Sequence, residues 1–108
     1  MNIANQPVRS AIISDIKSAN YSQQAGDVVI LFGNTAGMTL TLLPAARENG
    51  AILYVNNEGN ENTLTIAVAS TDTINETTSY TLAADSVICL VADAANNAWR
   101  LVSGPTAF

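Results

Sequence analysis

Nine carboxylates, one thiol and no histidine are the material from which this 108-residue chain would have to build any chemistry. Histidine is the commonest general base and the commonest metal ligand near neutral pH. Without it, neither a Ser-His-Asp nor a Cys-His arrangement can be assembled within one chain. A zinc site lacks ligands too, because Cys89 stands alone. Paired carboxylates are the remaining route. A retaining glycosidase needs two of them about 5 Å apart in a cleft, one with its pKa raised by burial. Glu58 and Glu61 share one polar turn, and Asp85 and Asp93 flank one apolar run. Both are loop settings in which water keeps the carboxylates ionised. Asn57, Glu58, Asn60 and Glu61 offer oxygens to a calcium ion, but their spacing is not that of an EF-hand loop. Gly33 and Gly37 lack the following Gly-Lys-Ser/Thr of a phosphate-binding loop. Five residues between two strands read better as a hairpin. The sequence therefore predicts no enzyme, no cofactor and no metal.

Composition narrows the partners. Hydrophobic residues make up 48% of the chain and charged ones only 12%, against about 25% charged in an ordinary soluble domain. A Ser/Thr/Asn-rich surface accounts for part of the shortfall. The reading favoured here is that other subunits cover part of the apolar surface. The net charge is −5, and the four cations Arg9, Lys17, Arg47 and Arg100 are scattered. They form no basic stripe to displace counterions from phosphates, which argues against nucleic acid and against an anionic membrane. The first residues lack the cationic start and apolar stretch of a signal peptide. No apolar run approaches the ~20 residues of a membrane helix. The sequons at Asn20 and Asn75 read as chance without a secretion signal. Cys89, inside Val87-Ile88-Cys89-Leu90-Val91, reads as a buried, inert thiol.

The elements that would position these residues are short strands. Asp27 to Phe32 is a continuous apolar run, suited to burial on both faces. Thr39-Leu40-Thr41-Leu42 and Thr63-Leu64-Thr65-Ile66 alternate strictly, which places their apolar residues on one face. Pro44 ends the first of these. Ala51 to Asn56, Tyr80 to Leu82, Ser86 to Ala92 and Ala98 to Val102 supply further strands, with Gly104 and Pro105 closing the domain. Seven or eight short strands at spacings near 8–12 residues predict an all-β domain, an antiparallel β-sandwich or barrel, over residues 21–108. Residues 1–20 read as an N-terminal arm, with Ile12, Ile13 and Ile16 at helical spacing as candidate contacts to a shell or a neighbouring subunit.

The predicted core comprises Leu31, Leu40, Leu42, Ile52 and Leu64, then Ile66, Leu82, Leu90, Trp99 and Leu101. Trp99 is assigned to packing rather than to a sugar-binding platform, and Ile74 is expected to dip into the core. Asn34 and Thr35, Glu58 and Asn60, and Asn96 and Asn97 are the candidate exposed loop residues.

The order of motifs supports a resemblance. Gly26-Asp27-Val28-Val29 is followed by Met38-Thr39-Leu40-Thr41-Leu42-Leu43-Pro44-Ala45-Ala46, then by Asn49-Gly50-Ala51-Ile52-Leu53-Tyr54-Val55-Asn56-Asn57. Asn62-Thr63-Leu64-Thr65-Ile66, Asp72-Thr73-Ile74-Asn75, Tyr80-Thr81-Leu82, Ser86-Val87 and Asp93 before Trp99 complete the series. This resembles the small β-modules of tailed-phage tail fibres, head fibres and capsid decoration (cement) proteins, over roughly residues 26–102. Glu76 stands where that group often has glycine, and the loop before Trp99 is rich in alanine rather than glycine. The resemblance implies a homotrimer without cofactor, with a structural or host-contact role. The function expected is a decoration protein on the virion surface, made in the host cytoplasm and clamping the major capsid protein or another virion protein. A receptor-binding fibre tip and a free-standing carbohydrate-binding module are the alternatives.

Overall fold

The computed structural model describes residues 15–58 and 61–108. Strands make up 52% of it, arranged as two mixed sheets, one of them a half-barrel. Threonine and β-branched residues supply the strand preference. The strands are β1 (Tyr21–Ser22), β2 (Val29–Gly33), β3 (Met38–Thr41), β4 (Ile52–Glu58), β5 (Leu64–Ala67), β6 (Thr73–Ile74), β7 (Ser79–Leu82), β8 (Ser86–Asp93) and β9 (Ala98–Ala107). One sheet has the order β1-β3-β5-β7 and the other β2-β4-β8-β9-β6.

The expected antiparallel sandwich needs correcting. The chain passes from one sheet to the other at each of its first connections, so strands that meet within a sheet are not consecutive. They run parallel: β1 with β3, β2 with β4, β3 with β5, and β6 with β9. Only β4/β8, β5/β7 and β8/β9 are antiparallel. The segment Gly33 to Gly37 is therefore no hairpin. It carries the chain across the core from β2 to β3. Asn34 shapes this crossing: its Oδ1 accepts the Gly37 N–H at 2.9 Å, and Gly37 takes the positive φ of 76° that glycine tolerates.

The core lies between the sheets. Ile30, Phe32, Leu53, Val55, Ile88, Leu90 and Trp99 face Met38, Leu40, Leu64, Ile66 and Leu82, all buried. Ile74 and Leu42 join them. Trp99 is buried, and its Nε1–H donates to the Leu43 carbonyl at 3.0 Å. Three residues expected in the core sit differently. Ile52 is 52% exposed, and Leu31 and Leu101 are half-buried, Leu101 packing against the core from its margin. In β2 and β4 the inward residues are Ile30, Phe32, Leu53 and Val55, so the period of two sends Leu31 and Ile52 to the other face. β9 also continues beyond Gly104 and Pro105 to Ala107. Gly104 has φ +88°, and a Cβ there would lie 2.6 Å from the Val87 carbonyl oxygen, so this bend of β9 against β8 needs glycine.

Three asparagines close one end of the sandwich. Asn34, expected in an exposed loop, is 1% exposed. Its Nδ2 donates to the carbonyls of Thr63 (2.9 Å) and Asn62 (3.4 Å), and Asn62 Nδ2 returns a bond to the Asn34 carbonyl at 2.8 Å. Asn57 is fully buried, and its Nδ2 is shared among the carbonyls of Asn62, Leu82 and Ala83 at 3.0, 3.3 and 3.1 Å. Its Oδ1 has no partner among the described residues. These bonds tie β4 to the chain around β5 and β7, across the two sheets. Asn57→Leu fills similar space but removes the shared donor of three carbonyls, of which Asn62 keeps its longer bond from Asn34. The expected loss is about 2–3 kcal/mol, read from the midpoint of urea unfolding.

At the far edge, Tyr21 packs against the core and donates its phenol to Asp27 Oδ2 at 2.8 Å, while Lys17 Nζ lies 4.1 Å from its ring centroid. Desolvation, then the hydrogen bond and negative charge of Asp27, push the phenol up to about 12. A folded-state pKa above the unfolded value of 10.0 contributes stability that is complete below pH 10 and lost as pH rises through about 12. Absorbance titration should show one tyrosine ionising near pH 12, and Tyr21→Phe should remove that step.

Candidate functional site

The two sheets have outer faces of opposite character. On the four-stranded sheet, Thr39, Thr65 and Thr81 form one outward row, and Thr41, Ala67 and Ser79 form the next. This is the apolar-in, polar-out alternation of a sheet with one solvated face. The five-stranded sheet does not alternate. Its outward rows are Val29–Tyr54–Cys89–Ser103, Leu31–Asn56–Val87–Thr106 and Ile52–Val91–Arg100. Behind them lie inner rows that are apolar away from the asparagine-closed end, such as Ile30–Val55–Ile88. The continuous apolar runs in β2, β4 and β8 thus supply both faces at once.

The outer face is a largely apolar field, interrupted by Asn56, with charge at its ends. Ile52 and Tyr54 stand out from it, 52% and 44% exposed. Ile16 and Val102 extend it at the sides, at 58% and 61%. Ile16 belongs here because its Cγ2 lies 3.2 Å from where Gly33 would carry a Cβ. The neighbouring Lys17 locks on to the β2 edge, its N–H donating to Leu31 at 2.8 Å and its carbonyl accepting from Gly33 at 2.9 Å. Val102 is the extra residue of a bulge, between Leu101 opposite Leu90 and Ser103 opposite Cys89. Cys89 sits near the middle of the field, buried by its neighbours.

No family model, curated protein or solved structure matches this chain. Its functional reading therefore rests on its own residues.

The structure disperses the sequence-derived candidates. Ile16 lies on the margin of the apolar face, while Ile12, Ile13 and Asn60 fall outside the described residues. Thr35 and Glu58 are exposed at the asparagine-closed end, where the Asn34 N–H meets the Glu58 carbonyl at 3.2 Å. Asn34 is buried there and presents nothing to solvent. Asn96 and Asn97 are exposed at the opposite end, in and after the helical turn Ala94–Asn96. No single surface gathers these loop residues. What the sequence alone does not reveal is the face itself: Val29, Tyr54, Val87 and Val91 come together only through the register of β2, β4 and β8. The signal was present in the unbroken apolar runs, once each run is read as two faces.

Arg100 and Asp93 mark one end of the face, with Arg100 Nη2 3.1 Å from Asp93 Oδ2. Asn96 Nδ2 donates to the same oxygen at 2.9 Å. The hydrogen bonds from Asn96 and Arg100 hold the Asp93 carboxyl below the ordinary carboxylate range. Arg100→Met should move the Asp93 titration back up towards that range. Side-chain carboxyl shifts followed by NMR across acid pH check the direction.

Proposed function

We propose that this chain is a capsid decoration protein of a tailed phage. It binds the outside of the assembled shell as a homotrimer and stabilises the shell. The observation that carries this reading is the apolar outer face of the five-stranded sheet, on a chain with few charges to keep it apart from other molecules. Monomeric proteins rarely expose a contiguous apolar patch of this kind unless something docks on it. The order of motifs from Gly26 to Trp99 supports the phage assignment. The role needs neither catalytic residues nor a cofactor. A protein that binds assembled lattice better than free subunits stabilises the lattice by mass action.

The free-standing sugar-binding reading calls for an exposed tryptophan or tyrosine platform; the only tryptophan is spent inside the core on the Leu43 carbonyl, which leaves Tyr54 as the aromatic ring it could use. The fibre-tip reading would place its site in the loops, and those candidates lie at opposite ends of the molecule.

The deciding experiment mixes the purified protein with empty, assembled shells of the phage that encodes it. It should co-sediment with shells but not with unassembled capsid protein. At 100 times the dissociation constant, each occupied site should stabilise the lattice by about 2.7 kcal/mol, seen as a higher melting temperature. Absence of co-sedimentation would refute the decoration role.

A further inference from the structure

We propose that Asn49–Gly50 is a site of spontaneous covalent modification that the fold keeps shut, and that its opening limits the lifetime of this end of the molecule.

The chemistry is intrinsic to the dipeptide. An asparagine followed by glycine readily loses its side-chain amide, because glycine has no side chain to hinder approach to the preceding residue. The Gly50 nitrogen gives up its proton and attacks Asn49 Cγ. The N–Cγ bond forms, the Cγ–Nδ2 bond breaks, and ammonia leaves with that proton. Water then opens the cyclic imide at either carbonyl, giving aspartate or isoaspartate. Asn49–Gly50 is the only Asn-Gly pair in the chain. Both residues are exposed, so water and base reach them.

The fold blocks each requirement of that reaction. Glu48 to Ala51 is a turn, closed by the Ala51 N–H on the Glu48 carbonyl at 2.7 Å, with Gly50 at a φ of 79°. This is the type II turn, in which the residue before the glycine has ψ near about +120°. Ring closure needs the Gly50 nitrogen to swing round towards Cβ, a large rotation about the Asn49 Cα–C bond. The nitrogen is also engaged. Gly50 and Ala51 together face Ala92 as a β-bulge with glycine at its first position. The Gly50 N–H donates to the Ala92 carbonyl at 2.9 Å, and the Ala92 N–H donates to the Ala51 carbonyl at 3.0 Å. The proton that must leave is in use, and the anion left behind would face a carbonyl oxygen. Finally, Asn49 Oδ1 accepts the Ala94 N–H at 3.1 Å. The amide to be attacked is thereby held against the start of the turn between β8 and β9, not over its own backbone.

Turn, bulge and side-chain bond form one joint between the start of β4 and the end of β8. Modification proceeds only from molecules in which that joint is open, so its rate follows the local opening equilibrium. The isoaspartate product adds a methylene to the main chain. Turn and bulge then cannot both reclose in register, and the opening becomes permanent.

Peptide mapping after incubation at mildly alkaline pH tests this, on the folded protein and on the same protein unfolded in guanidinium. Asn49 should convert roughly tenfold or more slowly in the folded state. Equal rates overturn the proposal. The Gly50 amide should be protected in hydrogen exchange followed by NMR, and exchange as fast as in the unfolded chain overturns it too. Ala94→Pro removes the donor to Asn49 Oδ1 at the first position of a helical turn, where proline fits. With the β circular-dichroism spectrum retained, it should speed conversion several-fold. An unchanged rate overturns the hold assigned to the Asn49 side chain; if the variant does not fold, the exchange measurement on the wild type decides. The isoaspartyl form, separated from the aspartyl form, should unfold at lower urea. Equal midpoints overturn the permanent opening.

Discussion

Two buried amides, those of Asn34 and Asn57, hold one of the two ends at which the chain moves between sheets. Without them, the carbonyls of Asn62, Thr63, Leu82 and Ala83 would lose these side-chain donors, a costly change for buried polar groups. Asn34 bends the crossing through the Gly37 N–H and anchors it to Thr63 on the other sheet. Asn57 ties β4 to the carbonyls that end β7. The alternation between sheets follows from this anchored crossing. Over β1 to β5 the chain returns to each sheet travelling in its original direction, so β1/β3, β2/β4 and β3/β5 pair parallel, whereas β7 returns beside β5 reversed. The register then follows: Val29 comes to lie opposite Tyr54 and Met38 opposite Leu64.

That arrangement also separates the two outer faces. Parallel β2 and β4 sit side by side, each apolar on both sides, and antiparallel β8 extends the field with Val87, Cys89 and Val91. The threonine rows collect on the other sheet. One core therefore has a wet side and a dry side. Neither outer face carries charge along its strand centres, but one is built of hydroxyls and the other of hydrocarbon.

Much of the β character was legible in the sequence, because alternation in Thr39 to Leu42 and Thr63 to Ile66 reports local backbone geometry. The fate of Trp99 and Ile74 followed from size and apolarity. The pairing was not legible. Gly33 to Gly37 has the length and glycines of a hairpin, and nothing local reveals that its flanking strands join different sheets. Asn34 looked like a loop residue because asparagine favours turns. It is in a turn, but one that lies inside the molecule, and burial is a property of the fold rather than of the turn. Ile52 and Leu31 were assigned to the core because a run apolar at every position does not say which half of it faces in. Only the register of β2, β4 and β8 resolves that, and it depends on contacts far apart in sequence.

The first half of the chain winds as a coil, with 25 residues from Val29 to its partner Tyr54 and 26 from Met38 to Leu64. A closed barrel has a fixed number of staves, and adding one strains the rest. A coil carries no such quota. Another circuit of about the same length, spliced in at a crossing, would stack on its predecessor and extend both sheets together, as happens in solenoids. Relatives of such a molecule could therefore differ by whole windings while keeping the same ends, and the height of the molecule would be open to evolution, and to protein engineers, in steps of one turn.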